Sequence, residues 1–283
     1  MSRLIVFDFD GTLTDAEEEG APFRGGYLDD IATLCGVERA AIEPLAQQFE
    51  AAVAADAQSF GWMYGGHIVA PATVDPYLRM MPVARMIFDH YGRFADPGER
   101  DRLLDGILYK YNYPKTKTAF RAGARELLLQ MPKAETYVVT NSHTVPVQEK
   151  IRQLSAQGDD ADALMWLVPR VFGRAKKYIL APDFDGVPES IAVPGLKRPI
   201  LPRRKHYFDV LDRLRTEVGA DWADVRVVGD IFELDLVLPL TLGASVALVV
   251  NEHTPQYEQD FLDAHARGAV LHDLDAVGEW LLG

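Results

Sequence analysis

The chain has 283 residues, 48% of them hydrophobic and 25% charged, the make-up of a globular protein with room for one large domain or two modest ones. A formal net charge of −13 argues against a nucleic-acid partner and against a polybasic membrane anchor, because both need clustered Lys and Arg. Cys35 is the only cysteine; it permits no intramolecular disulfide and no zinc cage of thiolates, and it fits a reducing cytoplasm, as does the lack of a secretory signal pattern.

The first apolar run, Leu4–Phe7, reads as a buried strand with carboxylates directly behind it. Residues 16–118 show no convincing strand run. Helix-like segments lie at 44–57, 76–91 and 97–111, with prolines near their first turns and Gly36 and Gly92 at expected helix stops. Between two of them, Phe60 to His67 reads as an aromatic, glycine-rich loop. Further short runs rich in Val, Ile and Leu follow at Thr136–Val139, 225–228 and 246–250, with weaker ones at 168–172 and 269–271. None alternates, as expected of parallel strands covered by helices on both faces. Helical patterns at 122–130, 145–156 and 206–218 lie between them. The order predicts an α/β doubly wound parallel sheet in residues 1–15 and 119–283, with an all-helical second domain, 16–118, inserted after the first strand. The proline-rich stretch 182–202 reads as a long loop over the core. The longest apolar stretch, 236–250, is broken by Pro239 and Gly243 and is too short to span a membrane.

Three strand ends carry polar groups. Leu4–Phe7 runs into Asp8-Phe9-Asp10-Gly11-Thr12-Leu13-Thr14-Asp15, two acids one residue apart followed by a glycine that permits a sharp turn. Tyr137-Val138-Val139 ends in Thr140-Asn141-Ser142, and Val227-Val228 ends in Gly229-Asp230-Ile231-Phe232-Glu233-Leu234-Asp235. Ligands of parallel α/β sheets bind at the carboxyl ends of strands. If the three strands are neighbours, Asp8, Asp10, Asp230 and Asp235 share one small volume. Two like charges 4 Å apart repel by about 4 kcal/mol at an effective dielectric near 20, so the cluster calls for a cation, and all-oxygen ligation suits Mg²⁺. A carboxylate nucleophile, a second carboxyl group, hydroxyl donors and Mg²⁺ together suit phosphoryl transfer.

These segments resemble, in order and over nearly the whole chain, the four motifs of the haloacid dehalogenase superfamily: Asp8 to Asp15; the run ending in Thr140-Asn141; a basic residue ahead of the helix at 206–218; and Gly229-Asp230 with Asp235 behind it. The resemblance implies a Rossmann-like core and reads the insert as a helical C1-type cap that closes over the site. It implies that Asp8 attacks phosphorus to form an aspartyl-phosphate and that Asp10 protonates the leaving oxygen and then activates water. Thr140 would hold a phosphoryl oxygen, and Gly11, Thr12 and Asn141 would line the phosphate site. Mg²⁺ would sit among Asp8, the Asp10 carbonyl and Asp230, with Asp235 or Glu233 orienting waters. For the basic residue, Lys205 is favoured by its distance from Asp230; Arg203, Arg204, Lys176 and Lys177 are the alternatives.

The expectation is a Mg²⁺-dependent phosphatase of a small phosphorylated metabolite. Asp10 speaks against a dehalogenase, which typically lacks an acid there. A phosphomutase would share every core residue, and a catalytically silent scaffold would have no need of four clustered acids. His143, His67, Trp62, Met63 and Tyr64 read as loop or packing residues, Met80, Met81 and Met86 as core or interface residues, and Cys35 as a small buried hydrophobe.

Overall fold

The structure, a computed structural model, describes residues 2–111 and 117–283; the stretch 112–116, part of the predicted insert, lies outside them. The chain forms two compact units. One contains the residues up to Asp15, Met63–Ala70 and Phe120–Gly283, and the other contains Ala16–Trp62 and Pro71–Ala119.

The first unit is built on a six-stranded parallel sheet. Its strands are β1 (Leu4–Phe7), β4 (Thr136–Val139), β5 (Val171–Phe172), β6 (Val225–Gly229), β7 (Ser245–Val249) and β8 (Gly268–Leu271), numbered to allow for a hairpin, β2 (Gly61–Tyr64) and β3 (His67–Pro71). Their spatial order is β5-β4-β1-β6-β7-β8. β1 pairs on one side with β4, Phe7 opposite Val138, and on the other with β6, Phe7 opposite Val228. Chain direction of the winding therefore reverses at β1, the position where ligands bind in such sheets. All four residues of β1 are buried. Ile5 and Phe7 belong to a core with Leu127, Leu128, Val277 and Leu281, while Leu4 and Val6, equally buried, point to the opposite face by strand alternation. Burial on both faces is why these strands read as continuous apolar runs.

The predicted strands and intervening helices are present: α5 (Ala124–Gln130), α6 (Thr144–Ser155) and α7 (Lys205–Val218), followed by α8 (Val237–Thr241), α9 (Gln256–Asp263) and α10 (Leu274–Leu282). The stretch 168–172 divides into a 3₁₀ turn, Val168–Arg170, and the two-residue β5. The stretch 182–202 is irregular, pinned by a bridge between Ile191 and Ile200. The chain leaves and re-enters this unit beside an antiparallel bridge between Thr14 and Phe120.

The second unit packs α1 (Ala16–Cys35), α2 (Arg39–Ala55), α3 (Pro76–His90) and α4 (Pro97–Tyr111) around Phe23, Tyr27, Ile31, Val83, Ile87, Phe88 and Leu104. Helix α1 was absent from the sequence reading, because Gly20, Pro22, Gly25 and Gly26 lower its intrinsic helix preference. Its buried Phe23, Tyr27 and Ile31, spaced four apart, override that preference through packing. The insert is also not wholly helical. Phe60 to His67, read as a loop, folds into the β2–β3 hairpin, whose two-residue turn is Gly65-Gly66 at φ 58° and 82°. Positive φ at both central residues is the turn that matches strand twist, and glycine adopts it without strain. Among the described residues, no helix is long and apolar enough to cross a membrane.

Candidate active site

The carboxyl ends of β4, β1 and β6 lie side by side, and the three polar segments read from the sequence meet there. Asp8 follows β1 and donates its N–H to Val228 O at 2.8 Å. The residue is 7% exposed, and Asp230 and Asp235 are each 3% exposed. One oxygen from each lies within 4.8 Å of the others. Gly11 makes this approach possible. Its φ is 82°, and a Cβ there would stand 2.1 Å from Asp230 Oδ2. Thr12 then turns its hydroxyl inward, 3.2 Å from Asp230 Oδ1 and 3.4 Å from Asp8 Oδ2.

The cation of this cluster is Lys177. Its Nζ donates to Asp8 Oδ1 at 2.6 Å and to Asp235 Oδ1 at 2.8 Å, fully buried. Lys205, favoured from the sequence, does not reach the site. It is the first residue of α7 and pairs with Asp209 one turn along the exposed helix face. Arg203 points outward too, to the carbonyls of Val187 and Pro182. Lys177 succeeds because the loop after β5 is tied across the end of β4. Arg174 N–H donates to Ser142 O at 2.7 Å, Ala175 N–H to Thr140 O at 2.9 Å and Lys177 N–H to Asn141 Oδ1 at 2.7 Å. Arg174 and Lys176 take φ of 56° and 51°, a left-handed conformation that side-chain-bearing residues rarely adopt. Asn141, expected to line the phosphate site, thus spends its carbonyl on holding the lysine loop.

Asp10 stands at the more open edge, its side chain 37% exposed. Thr140 Oγ1 donates to its Oδ2 at 3.4 Å, and Lys150 Nζ, from α6, lies 3.2 Å from its Oδ1. Lys150 went unnoticed in the sequence because only the helix phase of α6 directs it back to the strand end. Arg121 was missed as well; its Nε donates to Gly11 O at 2.8 Å and its Nη1 to Val250 O at 3.2 Å, bracing the Gly11 turn. Asp235 uses its second oxygen to accept from Ile231 N–H at 3.1 Å, within the π-helical turn Phe232–Leu236 that follows β6. Glu233, the alternative to Asp235, faces elsewhere, held by Arg198 at 2.7 Å and by the Tyr257 hydroxyl at 2.7 Å.

Charge is out of balance here. Among the described residues, three buried carboxylates crowd together and the Lys177 ammonium contacts two of them, so full ionisation of the acids would leave negative charge in excess of that ammonium. Burial, opposed by Lys177 and reinforced by the charges of Asp235 and Asp10, pushes the Asp8 carboxyl up to about 8. Burial alone would draw Lys177 down, but the charges of Asp235 and Asp8 outweigh it and hold its ammonium well above the usual lysine range. A compact cluster of carboxylate oxygens fits a hard divalent ion such as Mg²⁺ in charge and donor type.

No family model matches the sequence, and no curated protein matches it. Solved structures do resemble it. A haloacid dehalogenase-like protein of unknown function from Agrobacterium tumefaciens C58 is 14% identical, with 100% of this chain and 98% of that one covered and a TM-score of 0.52. A predicted phosphoglycolate phosphatase from Haemophilus somnus 129PT is 13% identical, with 99% and 97% covered and a TM-score of 0.52. A dehalogenase solved with an intermediate complex is 15% identical, with 100% and 98% covered, but superposes only at a TM-score of 0.44. The chain therefore shares the fold of the first two of these, a haloacid dehalogenase-like fold.

Two outcomes follow from the geometry. Any Mg²⁺ affinity that calorimetric titration finds for the parent should fall by about tenfold or more in Gly11→Ala, where the added methyl is forced against Asp230; unchanged affinity would show that the turn has slack. A carboxyl raised from 3.8 to about 8 binds its proton more tightly in the folded state than in the unfolded chain. Its stabilising contribution is then full below about pH 4 and lost as pH rises through about 8. In chelator, the thermal midpoint of the parent therefore falls relative to that of Asp8→Asn as pH rises over this window. Parallel curves for the two proteins would contradict the shift.

Proposed function

We propose that the chain is a Mg²⁺-dependent phosphatase of small phosphorylated molecules. The observation that carries this reading is the crowding of the buried Asp8, Asp230 and Asp235 carboxylates, with the Lys177 ammonium bridging Asp8 and Asp235. A site whose charge a divalent ion would balance, with a carboxylate nucleophile inside it and a second carboxyl group two residues on, suits attack on phosphorus. Asp8 and Asp230 would hold the ion with the Asp10 backbone carbonyl, and Asp235 would orient its waters. When bound, the ion neutralises charge on the phosphoryl oxygens.

The residues divide the remaining work. Lys177 steadies the Asp8 carboxylate and presents positive charge to the entering phosphoryl group. An Asp8 oxygen attacks phosphorus, the bond from phosphorus to the ester oxygen breaks, and that oxygen takes the proton carried by Asp10. A water then attacks phosphorus of the aspartyl-phosphate and gives its proton to Asp10; inorganic phosphate leaves and Asp8 is restored. Thr140, beside Asp10, and Thr12, beside Asp8, offer hydroxyls to the transferred group. Positioning and charge neutralisation dominate such catalysis, since the chemistry at phosphorus asks little else of the protein. Asp10 favours this reading over a dehalogenase, because ester cleavage needs a proton donor for the leaving oxygen and then a base for water.

Phosphate release from an aryl phosphate is expected to require Mg²⁺ and to stop with chelator. Asp8→Asn, similar in shape, should lower it by at least about 10³-fold while the circular dichroism spectrum stays that of the parent. Phosphate release by the variant at the parental rate would refute the assignment of the nucleophile.

A further inference from the structure

Arg204 is the largest fully buried side chain among the described residues, and its charge has no carboxylate in salt-bridge contact there. Its guanidinium instead donates to three backbone carbonyls: Nη1 to Lys177 O at 2.5 Å, Nη2 to Val69 O at 2.8 Å and Nε to Leu201 O at 3.1 Å. The three acceptors sit on three separate segments: the loop that delivers the site lysine, strand β3 of the hairpin, and the irregular stretch ahead of α7. Burial pushes this guanidinium down to about 10, with Glu233 and Asp235 opposing the shift from a distance. A buried charge without a paired counter-ion is a poor way to gain stability, since an apolar residue of similar volume commonly does as well or better. What an arginine adds is a rigid planar fork that can hold several acceptors in one fixed arrangement.

The held object is the Lys177 backbone. Its N–H is fixed by Asn141 and its carbonyl by Arg204, on either side of the residue whose ammonium bridges Asp8 and Asp235. The preceding Arg174 and Lys176 sit in left-handed conformations, which persist only when surrounding bonds over-determine them. One turn beyond Arg204, Tyr207 continues the arrangement. The Lys177 ammonium lies 5.3 Å from its ring centre, and its hydroxyl donates to Asp235 O at 3.0 Å. On the hairpin side, Tyr64 meets the next residue, Tyr178, edge to face at 5.5 Å.

We propose that Arg204 is a positioning residue that locks the Lys177 backbone to the β2–β3 hairpin, so that hairpin placement sets the position of the ammonium beside Asp8. The proposal rests on Lys177 being the cation of the phosphatase site. It assigns different tasks to three consecutive bases: Arg203 fastens the 182–202 stretch, Arg204 locks the lysine loop, and Lys205 caps an exposed helix turn with Asp209.

The test uses the full chain and two readouts. Arg204→Lys keeps the charge but replaces the planar fork, whose three nitrogens each meet one carbonyl, with a single nitrogen that cannot span them in the same arrangement. It should lower kcat for an aryl phosphate at saturating Mg²⁺ by about tenfold to a hundredfold, with KM within about twofold, as expected of misplacement by about an ångström. In the metal-free protein, acetylation of Lys177 followed by mass spectrometry should rise about tenfold relative to Lys205, the exposed internal reference, reflecting the loss of local protection. Parental kcat together with parental Lys177 protection would overturn the proposal. If Arg204→Lys fails to fold, Gly66→Val carries the test, since it strains the exposed hairpin turn and touches nothing in the site. Selective exposure of Lys177 in that variant supports the lock, and unchanged Lys177 labelling overturns it. A parent protein that releases phosphate from no ester would instead count against the phosphatase reading, and the labelling comparison still decides the role of Arg204.

Discussion

The site depends on one ammonium shared by two buried carboxylates. Lys177 stands between Asp8 and Asp235 and bonds directly to both buried acids. Removing one partner of such a group leaves an uncompensated charge, which costs about 3–5 kcal/mol in typical buried pairs. The arrangement exists because the sheet order is β5-β4-β1-β6. Asp8 leaves β1, Asp230 leaves its neighbour β6, and Lys177 arrives from the loop after β5, tied to the end of the intervening β4. A different strand order would leave the same residues in the sequence and no site in the fold.

The same burial that makes the core also makes the chemistry. β1 is covered on both faces, so the backbone that carries Asp8 is held rigidly and the carboxylate meets a low dielectric as soon as the strand ends. The acids that result are incompletely neutralised. Their proximity is enforced by Gly11, which lets the chain turn against Asp230, and by Arg121, which braces that turn from Gly11 O to Val250 O. On the proposed phosphatase reading, stability given up locally leaves carboxylates for a divalent ion and the Lys177 ammonium for a phosphoryl group already in place.

Much of this was legible in the sequence. The buried strands announced themselves as short unbroken runs of Val, Ile and Leu, and the acids behind Phe7 and Gly229 marked two strand ends. The misses have physical causes. Helix α1 carries three glycines and Pro22, and it is held by packing that only the folded insert supplies. The hairpin carried a usable signal, Gly65-Gly66 between two apolar runs, which composition alone disguised as a loop. Lys177 lost to Lys205 because spacing along the chain says nothing about the left-handed backbone at Arg174 and Lys176, and that backbone directs the lysine inward. Lys150 and Arg121 reach the site from a helix and a loop whose direction is a property of the fold.

The central claim is that Asp8 is the group that takes the phosphoryl moiety. Mixing the protein with a ³²P-labelled aryl phosphate and Mg²⁺, quenching in acid within the first turnovers and mapping the labelled peptide tests it most directly. The account predicts an acid-stable, alkali-labile label on the peptide that contains Asp8. Steady release of phosphate with no label on that peptide, or with label on another residue, would contradict it.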